Sequence, residues 1–342
     1  MGTIYLTQHG MKVNKKGGRF IVTLKDIEMQ SIPAEYVENL VVMATVQLTH
    51  AVLMDILDRG GTVTYMSSRG EIKGTLGIDV QQGRQVLEQA AANLDEKKRL
   101  RVASGIISRK IKAQRCLLQT YNKSLQSELL KSTVERLKYY IEKAEQATSI
   151  NQLLGIEGTA AKEYYDCYPD MLKSSGFIWQ GRNRRPPRDP VNALLSFAYT
   201  MLEREVKLAI MQSGLTTGIG FVHGVNNYKD GFVYDVMEPF RSMVAERFVF
   251  RCINRKLIKQ EDFDFVDEAC YLSAAGRRKF IAAYEGFNDE KNFNCKALQE
   301  AIKEELLTLR KDFAEQKECN ANDKIIGRAN AACGAGETSV LA

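Results

Sequence analysis

The feature that most limits the fold of this chain is a change in hydrophobic period near 81–84. Before it, β-branched and aromatic runs at Thr3 to Leu6, Arg19 to Leu24, Leu40 to Met43 and Thr62 to Met66 predict strands. Glycine-bearing turns at Lys16-Gly17-Gly18 and Ser68-Arg69-Gly70 punctuate them. Thr49 to Leu57 breaks this pattern as a short helix ended by Arg59-Gly60-Gly61. After the change the period is helical over 85–122, 125–147, 190–212, 235–258, 274–284 and 296–317. The fold class is therefore α+β and mostly α. A small β-rich N-terminal domain over 1–84, a mostly antiparallel sheet or sandwich with one inserted helix, precedes a larger all-α domain over 85–317. The small, polar, aperiodic end, 318–342, is expected to be disordered.

A chain of 342 residues suffices for two cores. No apolar run approaches the roughly 20 residues of a membrane span, and the first residues lack signal-peptide regions. A cytoplasmic protein is expected. Its seven cysteines are scattered and lack Cys-x-x-Cys spacing, which argues for reduced thiols rather than a disulfide framework or structural zinc site. His9 and His50 have no acidic neighbours at ligand spacing and read as structural or surface residues.

The net charge of +6 is modest, so its distribution matters more than its size. Helix 85–122 has an apolar stripe at Leu100, Ala103, Ile107, Ile111 and Leu118. Its other face, from Lys97 to Arg115, carries eight basic residues, Arg109 and Lys112 among them, and no acidic one. A solvated face usually mixes both signs, so this loading points to an anionic partner. The irregular stretch from Lys173 to Pro190 adds Arg182, Arg184, Arg185 and Arg188 beside Trp179, a set suited to phosphate contact and base stacking. A solvated loop anchored by Trp179 fits the composition equally.

Gly214 to Arg241 gathers the most chemistry in the least length. His223 follows an apolar approach, a polar loop runs from Gly224 to Gly231, and Asp235 and Glu238 then open a helix that also carries Arg241. Carboxylates three apart share a helix face, and folding the loop back brings the imidazole beside them as ligands for a hard or borderline divalent cation. Asp-x-x-Glu is equally the form of a capping box, and both readings stand on these residues alone. Farther back, Glu157 lies among Gly155, Gly158, Ala160 and Ala161, small residues that permit close backbone approach. A carboxylate there is costly to bury unless paired or metal-bound.

Four segments in this order and spacing carry a resemblance. They are Gly155-Ile-Glu-Gly-Thr-Ala-Ala-Lys-Glu-Tyr-Tyr, Arg184-Arg-Pro-Pro-Arg-Asp-Pro-Val-Asn-Ala-Leu-Leu, Gly220-Phe-Val-His-Gly and Tyr234-Asp-Val-Met-Glu-Pro-Phe-Arg. From the N-terminal strands to about residue 315 the chain resembles CRISPR-associated protein 1, the integrase of bacterial and archaeal spacer acquisition. The resemblance implies a β-rich domain followed by an all-helical catalytic domain, homodimers, and CRISPR-associated protein 2 as partner. It also implies Mg²⁺ or Mn²⁺ held by Glu157, His223 and Glu238, with Asp235 on a frequently acidic position, as ligand or helix cap. Many relatives have aspartate where Glu238 stands, an exchange that keeps an oxygen ligand and lengthens its reach. The expected activity is metal-dependent DNA cleavage and 3′-hydroxyl strand transfer on double-stranded DNA with single-stranded 3′ ends and branched intermediates. The basic residues named above, Arg241 included, would hold backbone phosphates. Rival readings are a non-catalytic DNA-binding scaffold and a general repair nuclease for branched DNA.

Overall fold

The structure, a computed structural model, describes residues 2–77, 83–172, 176–183, 186–225, 230–289 and 295–314. The chain folds as two compact units, Met1–Val80 and Gln81–Ala342. The expected disordered segment 318–342 and the candidate phosphate contacts Arg184 and Arg185 lie outside the described residues.

The first unit holds β1 (Gly2–Leu6), β2 (Met11–Lys16), β3 (Arg19–Leu24), β4 (Ile27–Pro33), β5 (Val37–Val42), β6 (Gln47–Leu48), α1 (His50–Asp58), β7 (Thr62–Met66) and β8 (Ile72–Leu76). They form two four-stranded sheets, in the orders β1-β5-β7-β8 and β4-β3-β2-β6. The expectation of mostly antiparallel pairing fits the second sheet, where β4, β3 and β2 form a meander. It fails for the first, in which β1, β5 and β7 run parallel. The chain leaves β5, passes through β6 and α1, and returns as β7, and a crossover of that length is what parallel neighbours require. Alternating Val13, Phe20, Val22, Leu40 and Val63 join Val52 and Ile56 of α1 in one buried core. Each such side chain contributes about 1.5–3 kcal/mol by leaving water.

The second unit is mainly helical: α2 (Gly83–Leu94), α3 (Glu96–Leu125), α4 (Glu128–Glu145), α5 (Ile150–Asp166), α6 (Tyr168–Leu172), α7 (Pro190–Gln212), α8 (Gly231–Phe240), α9 (Arg247–Asn254), α10 (Ala274–Asp289) and α11 (Cys295–Ala314). It also contains an antiparallel hairpin, β9 (Phe263–Val266) with β10 (Ala269–Leu272), so the all-α expectation holds only as "mainly α". Among the described residues no helix is long and apolar enough to cross a membrane.

The helix expected over 85–122 is two helices. Asp95 leaves the helical conformation and its carboxylate accepts from the amides of Lys97 and Lys98, capping a new start. Val102, Ala103, Ile106, Ile107, Ile111 and Leu118 then bury one face of α3. Gln126, in the left-handed conformation at φ 48°, ends α3 and lets Ser127 cap α4. The helix expected over 235–258 is likewise interrupted. Pro239 removes an amide from α8, and a π turn over Arg241–Glu246 separates it from α9.

Candidate active site

α8 opens at Gly231, not at Asp235, so the capping reading of Asp235 fails. The Asp235 carboxylate is fully buried and collects the loop that precedes its helix. Oδ2 accepts from the backbone amides of Phe221 and Val222, the latter at 3.1 Å, and Oδ1 accepts from the amide of His223 at 3.1 Å. Oδ1 also lies 2.7 Å from His223 Nδ1. A carboxylate already surrounded by donors accepts there too, which places the imidazole proton on Nδ1 and leaves the Nε2 lone pair free. Nε2 faces Glu238 Oε1 at 3.8 Å.

The opposite edge of the same loop is held by α2 and α3. Gln89 Nε2 donates to the carbonyls of Thr216 and Ile219 at 3.0 and 2.9 Å, and its Oε1 accepts from the Thr216 amide. Asn93 Nδ2 donates to Gly220 O at 2.9 Å, and Arg99 Nε to Phe221 O at 3.1 Å. Phe221 stacks on Phe313 at 5.0 Å. Gly220 and Gly231 permit this crossing, since a Cβ on Gly231 would stand 2.4 Å from Gly224 O and one on Gly220 2.7 Å from Gly231 C. His223 is thus fixed by amides on one side and carbonyls on the other.

Glu157 on α5 and Glu238 on α8 meet at Lys110 of α3. Lys110 Nζ lies 2.5 Å from Glu157 Oε1 and 2.7 Å from Glu238 Oε2. The second contact is an ion pair without hydrogen-bond directionality. Arg241 Nε lies 3.2 Å from Glu238 Oε1. Burial alone would raise the Glu238 pKa, but Lys110 and Arg241 outweigh it and hold the carboxyl at about 2. Burial likewise opposes charge on Lys110, and Glu238 and Glu157 more than offset it, keeping the ammonium protonated above the ordinary lysine range. Glu238 is 4% exposed. Glu157 and His223 keep 23% and 39% of their side-chain surface, so the site opens toward solvent on their side. Gly155 and Gly158 do not serve the close packing expected of them; a Cβ on either would meet nothing within 4 Å, so they keep the surroundings of Glu157 open instead.

The structure therefore brings Glu157, His223 and Glu238 to one place, with Asp235 behind the histidine. Among the described residues no three such donors converge as a ready-made metal cluster. The donor set nonetheless fits a divalent ion. Two carboxylates already share one cation, the Lys110 ammonium, and a lone pair on an oriented imidazole faces one of them.

Behind Glu238 lies a second buried carboxylate, Glu246 of the π turn, which accepts from the hydroxyls of Tyr164 and Tyr199. Arg182 and Arg241 stand over the Tyr199 ring at 5.3 and 4.9 Å.

The candidate phosphate contacts separate. Arg109 is buried and bound to Glu305, Nε at 2.9 Å and Nη2 at 2.8 Å, so it is a core ion pair and not a phosphate contact. Arg182 Nη1 donates to Asn183 O and Asn192 Oδ1 at 2.7 and 2.6 Å, which commits it inward. Arg241 is committed to Glu238 and Tyr199. Lys112 is partly exposed beside Glu145, and Arg188 keeps 65% of its side-chain surface. Sequence reasoning counted Lys110 and Arg99 only within a basic face and did not find Gln89, Asn93 or Glu246. The run of eight basic residues without an acidic one, read as a face for an anionic partner, supplies in Lys110 and Arg109 the partners of the chain's own Glu157, Glu238 and Glu305.

The sequence profile of the CRISPR associated protein Cas1 family matches residues 4–286, and the chain belongs to that family. A CRISPR-associated exonuclease Cas4/endonuclease Cas1 fusion of Leptospira interrogans is 30% identical over 292 residues, which are 83% of this chain. The match covers 54% of that relative, so the chain spans about half its length. A CRISPR-associated endonuclease Cas1 of Thermodesulfovibrio yellowstonii is 28% identical, over 83% of this chain and 86% of the relative. Among solved structures, a CAS1 protein from Thermotoga maritima superposes with a TM-score of 0.78 and 26% identity, covering 94% of this chain and all of the other. A Cas6-RT-Cas1–Cas2 complex (TM-score 0.75, 23% identity, 92% of this chain and 35% of that one) shares the fold. So does a casposase bound to integration product (TM-score 0.76, 19% identity, 97% and 99%).

Proposed function

We propose that this chain is a divalent-metal-dependent DNA endonuclease and integrase of CRISPR adaptation, with its catalytic centre in the helical unit. The observation that carries the reading is the cation shared by Glu157 and Glu238, with the free Nε2 of His223 turned toward Glu238. Glu157, His223 and Glu238 would hold Mg²⁺ or Mn²⁺. Bound there, the ion would polarise a phosphate oxygen and offset charge gathering on it.

The chain's own residues do the rest. Asp235 keeps the His223 proton on Nδ1 and the ring in one orientation. Gln89, Asn93 and Arg99 hold the loop so that the imidazole does not drift from Glu238. Lys112 and Arg188, the cations of the expected set that keep solvent access although they pair with Glu145 at 2.9 Å and Glu268 at 3.6 Å, would contact backbone phosphates and position without reading sequence. In strand transfer, the 3′-hydroxyl of incoming DNA loses its proton to water and forms a new P–O bond, the target P–O bond breaks, and the target strand leaves as a 3′-oxygen that takes a proton back from water. With water as the attacking group the same displacement is cleavage. The names of complexes that share its fold, one with Cas2 and one bound to integration product, support DNA and a Cas2-type protein as partners, and family membership is the ground for a second copy of this chain.

The test is strand joining into a supercoiled, repeat-bearing target with the small partner and either metal. The wild type is expected to join strands, and Glu157→Gln and His223→Ala to lose joining by at least about a hundredfold while remaining folded. Full activity in both variants would identify a scaffold whose partner does the chemistry. Cleavage of branched DNA with no joining into repeats would identify a repair nuclease.

A further inference from the structure

A lysine between two carboxylates that are proposed to bind a metal ion has a consequence for how that ion enters. Lys110 is not at the rim of the site: its Nζ lies 2.5 Å from Glu157 Oε1 and 2.7 Å from Glu238 Oε2, with 14% of its side-chain surface exposed. One ammonium thus bridges carboxylates borne on two different helices, α5 and α8, offsetting one of their two charges, and it reaches both from a third, α3. Without it, two carboxylates would face one another in a partly buried space, where like charges disfavour the assembled arrangement. Coulomb repulsion also prevents an ammonium and a divalent cation from occupying the same gap between them.

We propose that Lys110 is a resident counter-cation that preassembles Glu157 and Glu238 and must leave the gap for a divalent ion to bind. The inference rests on the metal-site reading above and adds a competitor to it. The flexible four-carbon stem of lysine allows the charge to withdraw toward the open side without unfolding α3. The lysine-in arrangement is the assembled ground state, so the lysine-out arrangement that accepts the ion is a minor population. Apparent affinity is reduced by the fraction that is competent. The site would therefore hold its ion more weakly than its ligands alone would dictate, in return for being assembled before the ion arrives.

The test is direct calorimetric titration of Mn²⁺ into the full chain, with no DNA present, together with melting temperatures in chelator and in Mn²⁺. Lys110→Met keeps the stem and removes the charge. It is expected to melt lower than wild type in chelator, to gain more from Mn²⁺ than wild type does, and to bind Mn²⁺ at least about tenfold more tightly. Lys110→Arg retains the charge and should not gain affinity. Adding Glu157→Gln to Lys110→Met should abolish the gain, because the competition is for that carboxylate.

If Lys110→Met is unfolded in chelator, Mn²⁺ is expected to restore its fold, and a variant left unfolded in Mn²⁺ overturns the proposal. Mn²⁺ binding equal to or weaker than wild type in a folded Lys110→Met also overturns it, while leaving the metal site intact. No Mn²⁺ binding by either wild type or Lys110→Met would remove the metal-site reading itself, and this inference with it.

Discussion

Glu238 and Glu246 are buried carboxylates eight residues apart on the same run of helix, and they are accommodated in opposite ways. Glu238 is surrounded by charges, Lys110 and Arg241, with His223 beyond. Glu246 accepts two neutral hydroxyls, from Tyr164 and Tyr199. Burial first, and the Glu246 charge second, push both tyrosine pKa values well above their ordinary range, so they remain donors. Hydroxyl donors fixed on packed rings lock a carboxylate in place. Cations on long stems neutralise one while leaving it exchangeable, which is the state required of a ligand. The π turn beginning at Arg241 re-aims the helix between the two, so one element serves both.

Substituting each carboxylate by its amide breaks this comparison most directly. Glu238→Gln is expected to weaken Mn²⁺ binding by at least about tenfold, since a charged oxygen donor is lost from the proposed set of three. Glu246→Gln is expected to leave Mn²⁺ binding unchanged and to cost about 1–3 kcal/mol of stability, because an amide NH₂ then confronts a buried hydroxyl donor. Calorimetry and denaturant melts on both variants decide it. Equal losses of Mn²⁺ affinity would mean that the tyrosine-bound carboxylate belongs to the site.

The same contrast explains what the sequence made legible. The period change identified a strand-rich region followed by a helical one; glycine, histidine and carboxylate patterns singled out Glu157, His223, Asp235 and Glu238 as candidates, and the family resemblance chose Glu157, His223 and Glu238 among them as ligands. Strands β2, β4 and β8 escaped notice: MKVNKK is mostly polar, IEMQSIP is an edge strand exposed at Ile27 and Met29, and IKGTL carries a glycine. Parallel pairing of β1, β5 and β7 depends on the route of the connections, which hydrophobic period does not encode. The role of Asp235 is hidden because Asp-x-x-Glu resembles a capping box, whereas the amides it satisfies belong to the preceding loop. Arg109 and Lys110 look alike as adjacent members of a basic run. Rotation of about 100° per residue sends one to Glu305 on α11 and the other to Glu157 and Glu238.

A smaller effect is expected where the loop crosses itself. In Gly231→Ala the new Cβ would stand 2.4 Å from Gly224 O, and backbone, unlike a flexible side chain, must shift to admit it. The expected cost is about 1–3 kcal/mol, and the Asp235 clamp on His223 should loosen with it. Gly155→Ala, with nothing within 4 Å of its Cβ and a place inside α5, is the control and should stabilise by about 0.5–1 kcal/mol. Amide exchange at Phe221, Val222 and His223 reads the clamp itself. Faster exchange in Gly231→Ala alone is the expected result, and unchanged exchange would show that the loop does not depend on that crossing.

The smallest effect tests whether a partly exposed ion pair at the start of α8 contributes to the same loop. Asp230 accepts from Thr217 Oγ1 at 2.6 Å and pairs with Lys207 Nζ at 2.5 Å. Burial would raise its pKa, but Lys207 and Thr217 outweigh that and lower it below the ordinary aspartate value of 3.8. A folded-state pKa below the unfolded one means that the stabilisation is fully present above the unfolded value and is lost as pH falls through the folded one. Water still reaches both side chains, so the contribution is limited to about 0.2–1 kcal/mol. Asp230→Asn should therefore be less stable than wild type at neutral pH, with the gap shrinking as pH falls below about 4. Denaturant melts across that range measure it. Equal stability of the two proteins at every pH would assign the stabilisation to the hydrogen bond from Thr217, which an asparagine carbonyl also accepts, and would separate this rim contact from the charge-based neutralisation at Glu238.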